Sequence, residues 1–230
     1  MIPLRDDNPS QSAPFVTRTL IALNLAAFFF ELSLGGALNV FVQYWGLVPL
    51  RFAYAFAGEE PLGPTVATAF TSMFLHGGWI HLLGNLWYLW IFGDNVEDRL
   101  GHWKFLLFYL AGGLVAAATH TLLNLGSPVP TVGASGAIAA VLGAYAGMFP
   151  RARVVTLVPI FFFVQVITLP AMLVLGLWFV VQIFTGTLSI GAGGGVAWWA
   201  HIGGFVFGMV VGLIGRGRAG AGPSRAWVRE

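Results

Sequence analysis

Ser135 stands in Gly133-Ala134-Ser135-Gly136, where Pro128 and Pro130 end a loop and an apolar run begins. A serine hydroxyl is a weak nucleophile until a neighbouring base takes its proton. The candidate base is His201, in Ala200-His201-Ile202-Gly203-Gly204, at the start of the last apolar run. His81 and Asn85 are four residues apart and so share one helix face. They could donate to a developing oxyanion together with the Ser135 backbone amide at a helix start. Each feature has a plainer reading: a Gly/Ala/Ser cluster serves close helix packing, a lone His is a hydrogen-bonded structural residue, and a His/Asn pair makes interhelical hydrogen bonds. A metal site is a third reading for His76 and His81, but no Glu accompanies them as an HExxH zinc helix requires, so neither metal nor cofactor is expected.

The elements that must bring these residues together are membrane helices. Of 230 residues, 57% are hydrophobic and 9% charged, against about one quarter charged in a soluble domain. Cysteine is absent, which removes disulfides, thiolate nucleophiles and cysteine metal sites. Six apolar runs approach the ~20 residues that span a bilayer: Leu20 to Leu34, Trp79 to Phe92, Phe105 to Leu125, Ala137 to Phe149, Ala171 to Phe184 and Trp198 to Ile214. The expected fold is therefore an all-α polytopic membrane protein with six spans. The first run has no cleavage pattern after it and reads as a retained anchor, with Glu31 at the interface.

With the N-terminus inside, Arg51 is the one basic residue of the eleven that falls outside, a strong positive-inside bias. Both termini are expected in the cytoplasm, and the basic tail, residues 216–230, is expected on anionic lipid rather than on nucleic acid. The long outer segment from Gly35 to about Thr71 reads as partly interfacial. The loop from Gly186 to Ala197, with Gly191 and Gly193 to Gly195, reads as a mobile lid rather than a phosphate cradle, because no Lys lies near it.

Spacing says how Ser135 and His201 could meet. Gly204, Gly208 and Gly212 form one small-residue stripe; Ser135, Ala139, Gly143 and Gly147 form another with the same period. Two such stripes allow backbones to approach closely and would place Ser135 and His201 at the same outer depth. Fifteen residues from Ser135 to Phe149 give ~22 Å of helix in a ~30 Å hydrocarbon core, so Ser135 would lie about 8 Å below the outer surface.

Three motifs, in order, carry a resemblance. Gly133 to Gly136 resembles the GASG nucleophile motif of the rhomboid family, His201 with Gly204 its AHxxG, and His81 to Asn85 its HxxxN; the similarity runs from about Thr71 to Gly208 and includes Phe92 to Asp98. The resemblance implies a six-helix protease domain over residues 20–215 after a short segment, residues 1–19. It implies an intramembrane serine endopeptidase in a bacterial inner membrane, acting on transmembrane protein substrates through a Ser135–His201 dyad and an acyl-enzyme. His81, Asn85 and Ser135 would form the oxyanion hole, and Gly133, Gly136, Gly204 and Gly208 would be motif glycines. The family's access route lies between the second and fifth spans, where Gly84 leaves space and Trp178 is a candidate gate. Two departures stand out: the position that holds a Tyr against the histidine ring in some members is Ala139, and the Trp-Arg pair of the first outer loop is missing. Rival readings are an inactive relative that binds membrane clients and a small transporter or channel. The latter expects paired mid-membrane charges or inverted repeats, and neither is found. His102 and His120 read as ordinary loop and span-end residues.

Overall fold

Each of the six apolar runs folds as a helix. A computed structural model describes residues 1–160, 163–188 and 197–216; the lid expected at Gly186 to Ala197 and the basic tail fall largely outside them. In chain order the elements are β1 (Ile2–Asp6), α1 (Phe15–Ser33), α2 (Leu38–Trp45), α3 (Pro49–Phe56), α4 (Leu62–Thr71), α5 (Trp79–Leu100), α6 (His102–Leu123), α7 (Ser135–Met148), β2 (Arg153–Ile160), β3 (Phe163–Pro170), α8 (Ala171–Leu188) and α9 (Trp198–Arg216). Three helices, α1, α6 and α9, are long and apolar enough to cross a membrane by length and composition, and α7 and part of α8 are shorter apolar helices. The chain is an integral membrane protein.

The all-α expectation is corrected by a three-stranded antiparallel sheet of order β1-β2-β3. Residues 153–170 are dense in Val, Ile and Thr, which lose side-chain freedom in a helix and suit a pleated surface. Pro159 and Pro170 further disfavour a helix there. β2 pairs β3 from Arg153↔Pro170 to Ile160↔Phe163, and β1 pairs β2 from Ile2↔Leu157 to Asp6↔Val154. Such pairing joins residues far apart in sequence, so helical periodicity gives no sign of it.

α7 sits at the centre. Every residue from Gly136 to Met148 is buried, and α9 and α6 lie against it. The α7–α9 contact is made by the two small-residue stripes. A Cβ on Gly204 would strike the Gly136 carbonyl, one on Gly208 the Ala140 carbonyl, one on Gly212 the Ala144 carbonyl, and one on Gly143 the Phe205 carbonyl. Backbone meets backbone along the whole interface, as the spacing predicts.

Acidic residues organise the end of the bundle where α5 turns into α6. Glu97 accepts hydrogen bonds from the amides of Val16 and Thr17 at 2.8 and 2.7 Å and from the Thr17 hydroxyl at 2.7 Å, placing a carboxylate at the start of α1 where helix amides lack partners. The Tyr145 hydroxyl donates to Asp6 at 2.6 Å. Gly101, with φ of 79°, turns α5 directly into α6. Glu31, near the end of α1, is 2% exposed, and its carboxylate accepts from the His76 amide at 3.0 and 3.2 Å. A buried carboxylate needs such donors, and here they fix the loop that leads into α5.

Candidate active site

Several chain segments converge where α7 and α9 begin. α7 begins at Ser135 itself, so the Ser135 amide is one of the first-turn donors that an α-helix leaves without an internal partner. His201 lies in the first turn of α9, where the stripe through Gly204 holds that turn against Gly136. His201 Nε2 and Ser135 Oγ are 2.7 Å apart, and His201 is 6% exposed.

α5 supplies the next two groups. Asn85 is 7% exposed, and its Nδ2 has no hydrogen-bond partner among the described residues. A buried amide donor without a partner is costly in a finished structure; it suits a place where an anion forms. The Gly77 amide approaches His81 Nδ1 at 3.5 Å; an imidazole that accepts at Nδ1 carries its proton on Nε2. That nitrogen lies over Gly133, where a Cβ would come within 2.7 Å of it. Gly133 has φ of 129° and donates its own amide to Ser72, so a side chain there would be both strained and blocked.

These residues line a cavity of about 950 Å³, bounded by Tyr88, Gly84 and Trp178 on the side where α5 faces α8. Gly136 and Gly208 lie behind the site as packing residues. His76 stacks edge-on to the His81 ring at 5.3 Å, and no group of three or more His, Asp or Glu residues able to hold a metal is found among the described residues. His120 pairs with Thr131 at 3.0 Å, and His102 with Glu97 at 2.5 Å.

Sequence reasoning left the surroundings of His201 open because Ala139 offers no ring. The structure brings two: Trp178 of α8, 5.9 Å from the His201 ring centroid, and Trp198, 6.1 Å away at 90°. Trp178 also meets Tyr88 of α5 at 6.5 Å. Trp198, three residues before His201 and so on the same helix face, carried a local signal; Trp178 carried none that spacing could show.

A helical membrane protein with a Ser/His contact at the mouth of a central helix defines a narrow class, and comparison with known proteins names it. The Rhomboid domain model matches residues 64–218, and the chain belongs to the rhomboid family. Presenilin-associated rhomboid-like protein A, mitochondrial, of Danio rerio is 32% identical over 133 residues, 55% of this chain and 35% of that protein. Rhomboid protease GluP of Bacillus subtilis is 43% identical over 74 residues, 32% of this chain and 14% of GluP. Rhomboid protein 1, mitochondrial, of Saccharomyces cerevisiae is 35% identical over 91 residues, 38% of this chain and 26% of that protein. The chain thus spans about a third or less of the length of these relatives. Those whose names state a compartment are mitochondrial, which lends the bacterial inner membrane no support.

Proposed function

We propose that the chain is an intramembrane serine endopeptidase that cuts transmembrane protein substrates within or near their membrane helices. The observation that carries this reading is the 2.7 Å contact between His201 Nε2 and Ser135 Oγ at a cavity whose wall holds the Asn85 amide, unpartnered among the described residues. Neutral His201 takes the Ser135 proton as Oγ attacks a peptide carbonyl. The Ser135 amide, Asn85 Nδ2 and His81 Nε2 hold the oxyanion. His201 then gives the proton to the leaving amine, and water, activated by the same imidazole, releases the acyl-enzyme. A membrane helix hides its carbonyls in internal hydrogen bonds, so substrates with Gly, Pro or small residues near the cut unwind most readily.

In this reading α1, α5, α6, α7, α8 and α9 are six spans. α5 keeps Asp94, Glu97, Asp98 and Arg99 at its inner end, and α7 is short because the site opens to water above it. Residues 1–14 and Arg216 lie on the basic face, cytoplasmic in a bacterial inner-membrane protein, and Trp178 gates access between α5 and α8.

The test is incubation of the purified wild type and Ser135→Ala with a generic transmembrane substrate, alongside labelling by a serine-reactive phosphonate. Serine-dependent cleavage with labelling at Ser135 is the expected result. Absence of both in a folded wild-type protein would leave a client-binding relative without catalysis.

A further inference from the structure

The side of the cavity between α5 and α8 differs from the rest of the bundle. There the two helices meet through the Tyr88 and Trp178 rings, a non-directional contact, and Gly84 just above it has open space where a side chain would be. From the middle of α5 toward its C-terminal end, a hydrogen-bonded structure lies alongside. Trp87, the neighbour of Tyr88, donates its indole N–H to the Pro3 carbonyl at 2.7 Å. Asn95 Nδ2 donates to the Asn8 carbonyl at 2.9 Å. These attachments are eight residues apart on α5, about 12 Å along its axis, so β1 and the residues just after it are fastened to that helix from its middle toward its C-terminal end.

From β1 the connection continues without a gap. β1 pairs with β2 and β2 with β3. Pro170, the last residue of β3, is followed directly by Ala171, the first of α8, and the Ala171 amide donates to the Ala152 carbonyl at 2.9 Å. Val154 and Thr156 of β2 and Ala171, Val174 and Leu175 of α8 are all buried. The sheet therefore ties the root of α8 to α5 by a ladder of backbone hydrogen bonds, which strengthen where water is scarce. The outer half of the same seam has aromatic contact and an open glycine.

We infer that the sheet is a strap that holds the inner half of the α5–α8 seam closed, so that a substrate helix can enter only the outer half, beside Gly84 and Trp178. This deepens the protease reading by naming a specificity determinant: β1, fastened by Trp87, selects single apolar helices that unwind in their outer portion and excludes those that must part the two helices along their full length.

Two variants test it. One lacks residues 2–6; the other is Trp87→Phe, which keeps a ring and loses the donor to Pro3. Hydrogen exchange of α8 amides should quicken by about tenfold in the deletion and by less in Trp87→Phe, with α7 amides unchanged, because local opening follows local contacts. Cleavage of a transmembrane-helix substrate should rise about threefold while cleavage of a short detergent-soluble peptide with the same scissile sequence stays constant, since only the former must pass the gate. Unchanged α8 exchange in both variants overturns the strap. So does equal quickening in α7 and α8, which marks a general stability role, or an equal change for both substrates. If the wild type cuts neither substrate, the protease reading fails, and the exchange measurement still decides the strap.

Discussion

The α7–α9 and α5–α8 helix pairs are built on opposite rules. Between α7 and α9, glycines abut backbone carbonyls so closely that no side chain fits. Between α5 and α8, Gly84 has nothing within 4 Å of an added Cβ, and contact is left to the Tyr88 and Trp178 rings. The first pair holds Ser135 Oγ and His201 Nε2 within hydrogen-bond distance; between reacting groups an error near 1 Å can cost about 10²-fold in rate. The second leaves a seam wide enough for a cavity of about 950 Å³. Under the protease reading, a nucleophile must be held in place while a substrate helix is admitted, which calls for one rigid seam and one loose one.

Removing what the rigid seam holds should have the largest effect. Ser135→Ala and His201→Ala should each lower cleavage by about 10⁴-fold or more, and the double variant should be little worse, because a coupled nucleophile and base fail as a unit. A single-turnover assay on folded protein checks this; substantial activity in either variant sinks the dyad. Asn85→Ala should cost about 10² to 10³ in rate with melting temperature nearly unchanged, as expected of an oxyanion donor. Loss of thermal stability without loss of rate would make Asn85 a packing residue. Gly204→Val drives a branched side chain into the Gly136 carbonyl; activity should fall about 10²-fold from displacement alone, with a lower melting temperature. Wild-type cleavage by this variant would refute the α7–α9 contact as the device that joins Ser135 to His201.

The helix that forms one wall of the loose seam should respond in the opposite sense on its other side, where Gly176 faces α9. Gly176→Ala meets no atom, so it should stabilise α8 by up to about 1 kcal/mol through helix propensity and leave cleavage of a short peptide unchanged; thermal melting in detergent checks it. The smallest effect concerns the foot of that seam. Asp6 has its pKa raised from 3.8 to about 6, chiefly by burial, with the nearby Asp94 adding to the shift and the Tyr145 hydrogen bond opposing it. A carboxyl raised in the folded state favours folding fully below about 3.8 and loses that contribution as pH rises through about 6. Exchange of β1 amides, corrected for intrinsic rate, should therefore be more protected at pH 5 than at pH 7.5. Asp6→Asn should remove the difference; a difference that persists in this variant belongs to another group.

The sequence determined whatever rests on neighbours one to eight residues apart. Helix hydrogen bonds are local, so apolar runs show the helices, and the four-residue stripes of Gly204, Gly208 and Gly212 show which faces approach. Ser135, His201, His81 and Asn85 were legible for the same reason: each opens a helix or shares a face with its partner. Tertiary structure alone decided the rest. The sheet pairs Ile2 with Leu157, and a strand's partner is set by long-range backbone bonds that leave no period in either segment. Glu31 was legible as a charge but not as a buried one, because its donor is the backbone amide of His76, and an amide has no residue type to read. Trp178 reaches His201 from another helix, a contact fixed by how α8 leans on α9. Chain-local periodicity chose the helices and the faces that carry the candidate site; packing between distant segments chose which seam is tight, which is open and what ties its foot.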